Sequence, residues 1–357
     1  MLRLGTVTTP HGLSAGSPER YWACIRYLSA CTDEGDLRIR QPFLELDPHQ
    51  RGILSDDFGV ALTTTWLAER LGGIREIVDG RKFALNYGFR KHGKRKKKLA
   101  KMGPNKCPDY VLRDNTGLFH VLECKGTQSA AYLKSAMTQG RRQKAGIDFG
   151  KTVLGEKLVI GLRLRGEGEK KRSALIVSDP SPEPVVKVTA KKADKAQRIM
   201  DRLGVARALN LSGFGEVASE LSFAAGQVAD EQTRPYFLKS ELKRLSYDRK
   251  DRHKRVIDDI TRALKGPAAS TDDVIQQMAF STPGLRLDGS TEVSRVVVTR
   301  GVSRQLLERL RGARPDSFQG IAEDVMLSKS HRITVDKAQR FARIDYAGIA
   351  FAEVLFS

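Results

Sequence analysis

The alternation of apolar and polar positions predicts a β-hairpin in the first half of the chain. Residues 107–113 (CPDYVLR) and 118–125 (LFHVLECK) are short, mostly apolar runs of the kind that forms strands. Between them, residues 114–117 (DNTG) have the composition of a tight turn. We therefore expect the two runs to pair as antiparallel strands.

Helical periodicity predicts helices on both sides of this hairpin. Apolar positions within residues 58–71 recur close to every 3.6 residues, and Ser55 is a suitable N-cap. Residues 128–145 form a second helical pattern, interrupted near Gly140. A further helix is predicted over residues 17–31, near the start of the chain.

Two more strands, over residues 158–165 and 173–179, follow the second helix, and the proline-rich residues 179–184 then mark a boundary. Beyond it the pattern is mostly helical, with a strand over residues 293–300. The predicted fold class is an α/β core, with a central mixed sheet flanked by helices, and an additional α+β C-terminal domain. The predicted divisions are an N-terminal helix and extension (1–54), the core (55–180) and the C-terminal domain (181–357).

The net charge of the chain predicts the kind of partner that it binds. The 357-residue chain has 62 Lys and Arg against 42 Asp and Glu, a formal net charge of +20, which favours a polyanionic partner. No stretch approaches the roughly 20 apolar residues of a membrane span, and the first residues lack the apolar region of a secretory signal. We expect a cytoplasmic protein that does not enter a membrane.

The positive charge is concentrated before the hairpin. Residues 81–106 contain eleven basic residues and no acidic one, so this segment either follows a nucleic-acid backbone or is a solvated charged loop. The residues expected to contact phosphates are Lys91, Lys94, Arg95, Lys96, Lys97, Lys98 and Lys101.

Zinc chemistry is not expected. The four cysteines form no CxxC pair and the six histidines are scattered along the chain, whereas structural zinc sites place their ligands at short, regular spacings.

Asp109, Glu123 and Lys125 have the clearest catalytic potential. Because side chains alternate between the faces of a strand, Glu123 and Lys125 should share one face, with Cys124 on the other. Strand pairing can bring Asp109 beside Glu123, and two crowded carboxylates repel each other unless a cation lies between them. Mg²⁺ or Mn²⁺ suits such oxygen ligands. The metal would polarise a phosphate and acidify a bound water, which the Lys125 ammonium would orient.

The string CPDYVLRDNTGLFHVLECKGT resembles the signature of the PD-(D/E)xK nuclease superfamily, with Pro108, Asp109, Glu123 and Lys125 at its motif positions. The resemblance covers about a third of the chain. It implies a restriction-endonuclease-like core that runs helix, three-stranded meander, helix, strand. The order predicted from residue 55 to residue 179 is similar.

The resemblance also implies further metal ligands. The backbone carbonyl of Cys124 would join the two motif carboxylates. An acidic residue on the first core helix would complete the site, with Asp57 as the candidate and Asp56 and Glu69 behind it. The usual residue of the family at this place is Glu, and ordinary first-turn helix charges explain Asp56 and Asp57 equally well.

Some branches of the family carry a glutamine on the helix after the motif. Gln139 is the catalytic candidate here, with Gln143 one turn further along the same helix. A pair of exposed amides is the alternative interpretation.

The implied function is a Mg²⁺-dependent endonuclease that hydrolyses DNA in restriction or anti-phage defence, with RNA as the alternative substrate. The chain has no GxxxxGK[ST] motif, so nucleotide-driven movement would require a separate ATPase. The C-terminal half would then contact that partner, sense a target or form a homodimer. A competing hypothesis is a catalytically idle nucleic-acid-binding or assembly protein, in which Glu123 and Lys125 are an ordinary surface ion pair.

Overall fold

The computed structural model describes residues 30–32, 36–88, 107–143, 147, 154–178, 190–223, 239–266, 272–287, 291–314, 317–326, 332–336, 338–346 and 348–357. Most of the helix predicted over residues 17–31 lies outside these ranges. The seven basic residues predicted to contact phosphates, from Lys91 to Lys101, also lie outside them.

A five-stranded mixed sheet forms the centre of the first half. Its strands are β2 (Ile74–Asp79), β3 (Tyr110–Asp114), β4 (Phe119–Thr127), β5 (Leu154–Arg163) and β7 (Ala174–Ser178), hydrogen-bonded in that order. The first three are antiparallel neighbours, β4 and β5 are parallel, and β7 is antiparallel to β5. The predicted hairpin is confirmed as β3 and β4, and the two later strands as β5 and β7.

Helices cover both faces of this sheet, as the predicted α/β class requires. Helix α2 (Pro48–Arg70) lies on one face, where Leu67 packs with Leu112, Leu122 and Ile160. On the other face lie α3 (Gly80–Tyr87) and α4 (Ala130–Gln143). A short helix, α1 (Gln41–Leu44), and a two-stranded parallel pair, β1 (Arg38–Ile39) with β6 (Arg165–Gly166), lie beside this core.

The start predicted for the first core helix is wrong. Helix α2 begins at Pro48, where Asp47 is the N-cap and its carboxylate accepts hydrogen bonds from the backbone N–H groups of His49 and Gln50 (2.9 and 3.1 Å). Pro at the first helical position has no N–H to lose. Ser55 is an internal residue whose hydroxyl donates to the carbonyl of Arg51 (2.7 Å), a common alternative for a mid-helix serine.

The second half combines helices with an antiparallel sheet. The helices are α5 (Ala190–Leu211), α6 (Gly215–Leu221), α7 (Lys239–Leu245), α8 (Arg249–Lys265), α9 (Arg304–Gly312) and α10 (Phe318–Met326). The strands are β8 (Asp273–Leu287), β9 (Thr291–Ser303), β10 (Arg332–Asp336), β11 (Phe341–Tyr346) and β12 (Ala350–Phe356), in the order β10-β11-β12-β9-β8. Of the helices described, none is long and apolar enough to span a bilayer.

Helix α5 belongs to the cores of both halves. Its first part, including Met200 and Leu203, packs on the central sheet against Val78 and Val111. Its second part packs with α6, α8 and α9 of the second half, with Leu209 among the fully buried residues. The two halves are thus joined through a continuous helix buried on both sides.

Candidate active site

Asp109 and Glu123 meet at the end of the β3–β4 pairing. Tyr110 is the register partner of Leu122, so one residue further along Asp109 faces Glu123 across the strands. The backbone N–H of Asp109 donates to the Glu123 carboxylate (3.0 Å), and the backbone N–H of Cys124 donates to the Asp109 carboxylate (2.8 Å). These reciprocal bonds hold the two acidic side chains together.

Lys125 completes the group. Its ammonium donates a hydrogen bond to the Glu123 carboxylate, as the shared strand face predicts. Gly140 of α4 is packed directly over this pair, since a Cβ at Gly140 would lie 3.1 Å from Cγ of Glu123 and 3.5 Å from Cε of Lys125. Cys124 points to the opposite face, where its sulfur accepts a hydrogen bond from the Thr63 hydroxyl of α2 (2.9 Å).

The turn after β2 positions Asp109 from the other side. The backbone N–H of Gly80 donates to the carbonyl of Asp109 (2.9 Å). A Cβ at Gly80 would overlap the carbonyl oxygen of Pro108, so only glycine allows this close approach. Asp79, the N-cap of α3, adds a negative charge that helps raise the pKa of Asp109.

Helix α2 reaches the site through Gly126. A Cβ at Gly126 would overlap the backbone oxygen of Ser55, which shows how closely the helix lies on β4. At this contact the Asp56 carboxylate accepts a hydrogen bond from the backbone N–H of Gly126 and is attracted by the charge of Lys125. Burial nevertheless gives a net rise in the pKa of Asp56.

Burial dominates the titration of the two motif carboxylates. It raises the pKa of Glu123 to about 8, with repulsion from Asp109 acting in the same direction and Lys125 opposing it. It raises the pKa of Asp109 to about 6, against the attraction of Lys125. For Lys125, burial lowers the pKa, but the two carboxylates outweigh that effect and the net pKa is raised. A cation bound beside the two carboxylates would therefore lower both pKa values and favour their deprotonated forms.

The three side chains differ in their exposure to solvent. The Glu123 side chain is fully buried, while that of Lys125 is 20% exposed and Asp109 is partly buried. Of these three residues, Asp109 and Lys125 are the ones that a ligand could contact.

The donor set fits a hard divalent cation. Two carboxylates carry more negative charge than one ammonium balances, and their raised pKa values are those of an acidic pair that an added cation would stabilise. In an antiparallel strand the N–H and C=O of one residue point to the same neighbouring strand, so the Cys124 carbonyl lies on the same side of β4 as its N–H, which binds Asp109. Among the described residues, no group of three or more His, Cys, Asp or Glu side chains is arranged to hold a metal.

The structure places the remaining predicted residues less centrally. Gln139 is exposed on α4, next to the Gly140 that packs on the site. The α2 carboxylate whose charge raises the pKa of Asp109 is Asp56. Asp57, partly buried beside it, stays a prediction.

Sequence reasoning missed Asp79 and Gly80. Strand β2, which carries Asp79 at its end, was not predicted, because residues 74–79 (IREIVD) show no clear alternation of apolar and polar residues. The available signal was an Asp-Gly pair directly after the apolar Ile77-Val78, a sequence common where a strand ends.

Two residues of the basic segment have structural partners. Arg81 forms a paired salt bridge with both carboxylate oxygens of Glu241 in α7 (2.7 Å each). The buried Lys82 ammonium donates to the Ser222 hydroxyl (3.2 Å), and burial lowers its pKa to about 8. These two residues join the halves of the chain; neither is among the residues predicted to contact phosphates.

Comparison with known proteins adds no relative. No family model matches the chain, and neither the curated proteins nor the solved structures yield a match.

Proposed function

We propose that this protein is a metal-dependent nuclease with a PD-(D/E)xK active site, acting on DNA. The observation that carries the proposal is the meeting of Asp109, Glu123 and Lys125 at the end of two paired strands. The backbone N–H of Asp109 binds the Glu123 carboxylate, and the backbone N–H of Cys124 binds the Asp109 carboxylate. Two acids that could hold a metal ion, next to one ammonium, can support metal-assisted phosphodiester hydrolysis.

The order of elements supports the same proposal. Helix α2 is followed by the meander β2-β3-β4, then by α4 and by β5 parallel to β4. That is the helix, meander, helix, strand order of the restriction-endonuclease-like core, the finer fold class that we assign here. The inserted α3 and the segment up to residue 106 lie between two strands of the meander, so they leave the order intact.

In the proposed mechanism the chain binds and orients the reacting groups. Asp109, Glu123 and the Cys124 carbonyl would hold Mg²⁺ or Mn²⁺, which when bound supplies Lewis acidity at the phosphate and a more acidic water. The Lys125 ammonium orients the attacking water and offsets negative charge on the phosphate as the water oxygen bonds to phosphorus and one ester P–O bond breaks. The proton that the water loses ends on the leaving oxygen, which departs as a hydroxyl group. Burial of Glu123 strengthens these electrostatic effects by excluding bulk water.

The biological setting is proposed by analogy alone. A nuclease core joined to an unrelated second half suits restriction or anti-phage defence in the cytoplasm, with a separate ATPase or target-sensing partner. A homodimer would supply the second active site that cutting both strands at once requires. The second half, with its antiparallel sheet, is the part of the chain available for these contacts.

The decisive test is cleavage of plasmid and linear DNA in Mg²⁺, Mn²⁺ and EDTA. We expect metal-dependent cleavage by the wild type, and a loss of roughly 10²- to 10⁴-fold in Lys125→Met, the range for removing a group that assists proton transfer. Glu123→Gln should also be inactive while staying folded, because the amide replaces a buried carboxyl of the same shape. Thr138→Ala, an exposed change on α4, is the control.

The outcomes separate the nuclease from its alternatives. Cleavage that persists in EDTA, or that survives both site substitutions, would remove Asp109, Glu123 and Lys125 from the chemistry. DNA binding without cleavage under any metal condition would favour the catalytically idle binding protein. Cleavage of RNA but not DNA would redirect the proposal to an RNA-directed nuclease.

A further inference from the structure

An open pocket of about 430 Å³ lies between the N-terminal part of α2 and the start of α4. Its wall includes Arg51, Ser55, Asp56, Gln128, Ser129 and Tyr132. The volume falls in the range of small-molecule sites, roughly 300 to 1,000 Å³. The pocket is therefore large enough for a ligand of nucleotide size.

The pocket is next to the candidate active site along β4. Gly126 lines it and directly follows Lys125 in β4. Asp56, also in the wall, binds the Gly126 N–H and interacts with the charge of Lys125. A polymer with one phosphate bound at Lys125 would therefore place its neighbouring unit near the pocket.

The pocket offers one aromatic surface and several polar groups. Tyr132 is 62% exposed, so its ring is open to a ligand. The Gln128 amide donates to the Ser55 hydroxyl (3.3 Å), and Ser129 is a further wall residue. A flat ligand with a polar edge matches this combination of a stacking face and hydrogen-bonding groups.

Tyr132 also aligns with the predicted Gln139. The two residues are seven positions apart, which is close to two helical turns, so they lie on the same side of α4. A strand that passed from the pocket along this side of α4 would pass Ser135 and then reach Gln139. This arrangement gives the exposed glutamine a place on the path of a bound strand.

We propose that this pocket binds an unpaired nucleobase of the DNA strand held at the active site, with the base stacked on Tyr132. The choice of ligand rests on the proposed nuclease function. A base within a duplex cannot enter without leaving its stack, whereas a single strand presents its bases freely. The substrate class is therefore DNA that is single-stranded, or locally unpaired, next to the phosphate that is cut.

The test measures base stacking and affinity separately in the full-length protein, in EDTA so that the strand stays intact. The probe is a short single-stranded deoxyoligonucleotide carrying 2-aminopurine, whose fluorescence falls on stacking. A matched strand has abasic sites at the same positions. Tyr132→Ala removes the ring, Tyr132→Phe keeps it, and Thr138→Ala is an exposed control on the same helix.

We expect quenching with the wild type, Tyr132→Phe and Thr138→Ala, and its loss in Tyr132→Ala. The alanine variant should bind the 2-aminopurine strand roughly 5- to 100-fold more weakly, the measured range for a stacked base, and should bind the abasic strand as the wild type does. Unchanged quenching in Tyr132→Ala, or equal weakening toward both strands, would overturn the base pocket.

Cleavage assays on the same proteins separate this inference from the function that it rests on. Wild-type cleavage together with quenching that does not depend on Tyr132 rejects the pocket and keeps the nuclease. Tyr132-dependent quenching without any metal-dependent cleavage keeps the base pocket and rejects the nuclease.

Discussion

Two clusters on the central sheet bring buried carboxylates and a basic side chain together, and they differ in access to solvent. In the closed cluster, Glu76 of β2 is the register partner of Arg113 in β3, and Arg113 is salt-bridged to Asp201 of α5. Glu76, Arg113 and Asp201 are 1%, 0% and 1% exposed. A ligand therefore has no route to this cluster.

The open cluster is the candidate active site. It contains Asp109, Glu123 and Lys125, but Lys125 is a fifth exposed and a pocket begins at the following residue, Gly126. Its cation is an ammonium, a compact charge on a flexible stem, whereas the closed cluster uses a guanidinium, which is planar and binds carboxylates in fixed geometry.

The difference shows that a shifted pKa alone does not mark a functional site. Burial raises the pKa of Asp201 in the closed cluster as it does those of the open one. What distinguishes the open cluster is access for a ligand together with a cation that can move. Substitutions in both clusters, a pH profile and changes in the basic segment test this distinction.

Removing the cation should destabilise the folded protein strongly at the closed cluster and only slightly at the open one. Arg113→Met leaves Asp201 and Glu76 buried without its positive charge, which should lower the free energy of unfolding by roughly 3 to 5 kcal/mol. Lys125→Met should cost much less, because Glu123 can take up a proton instead. Urea unfolding followed by circular dichroism measures both variants, and equal decreases would contradict the distinction.

Gly126→Ala should damage the open cluster alone. The added Cβ overlaps the Ser55 carbonyl oxygen, so α2 must move away from β4, at a cost of roughly 1 to 3 kcal/mol. The movement also separates Asp56 from Lys125 and should lower cleavage. Gly52→Ala is the matched control, because a Cβ there meets no atom within 4 Å. Since alanine favours a helix more than glycine does, we expect this variant to be at least as stable as the wild type.

The metal-free protein should lose stability as the pH rises from about 4.5 to about 8. The folded pKa of Glu123, about 8, exceeds the ordinary 4.5, so in this window the unfolded chain has released a proton that the folded chain retains. The stabilisation that protonated Glu123 gives the folded state is complete below about pH 4.5 and is lost as the pH rises through the folded pKa. Asp109 adds a smaller effect in the same direction, up to about pH 6.

Thermal unfolding in EDTA across this range measures the effect. Glu123→Gln should flatten the dependence, and added Mg²⁺ should reduce the destabilisation at high pH in the wild type. A wild-type profile that matches Glu123→Gln would show that the buried carboxyl titrates normally.

The basic segment should contribute the smallest effect per residue. Replacing Lys94, Arg95, Lys96, Lys97 and Lys98 with alanine should weaken DNA binding and flatten its salt dependence, by about 0.7 to 0.9 in the log–log slope for each phosphate that is no longer neutralised. Lys170 and Lys171, exposed in the turn before β7, provide the control. An unchanged slope would show that the segment is a solvated loop.

The parts of the fold that depend on local pattern were predictable from the sequence. Alternation in residues 118–125 placed Glu123 and Lys125 on one face and Cys124 on the other, and the structure confirms this. Strand β2 was not predictable in the same way, since its Glu76 is buried by a cross-strand Arg113 and by Gly204 of α5, which are distant in sequence.

The acid that α2 contributes depends on the same kind of distant contact. The close approach of Ser55 to Gly126 brings Asp56 to the site, and no periodicity within α2 reveals which residue touches β4. An N-cap placed at Ser55 instead of Asp47 further obscured that geometry.

Helix α5 has a consequence for how the chain folds. Because Met200 and Leu203 fill the core beneath the central sheet while Leu209 fills that of the second half, neither half has a complete interior without it. Separate expression of residues 1–180 would leave Val78 and Val111 without their cover. The protein should accordingly melt in a single cooperative transition, with the sheet that carries the acids and the sheet of the second half disappearing together.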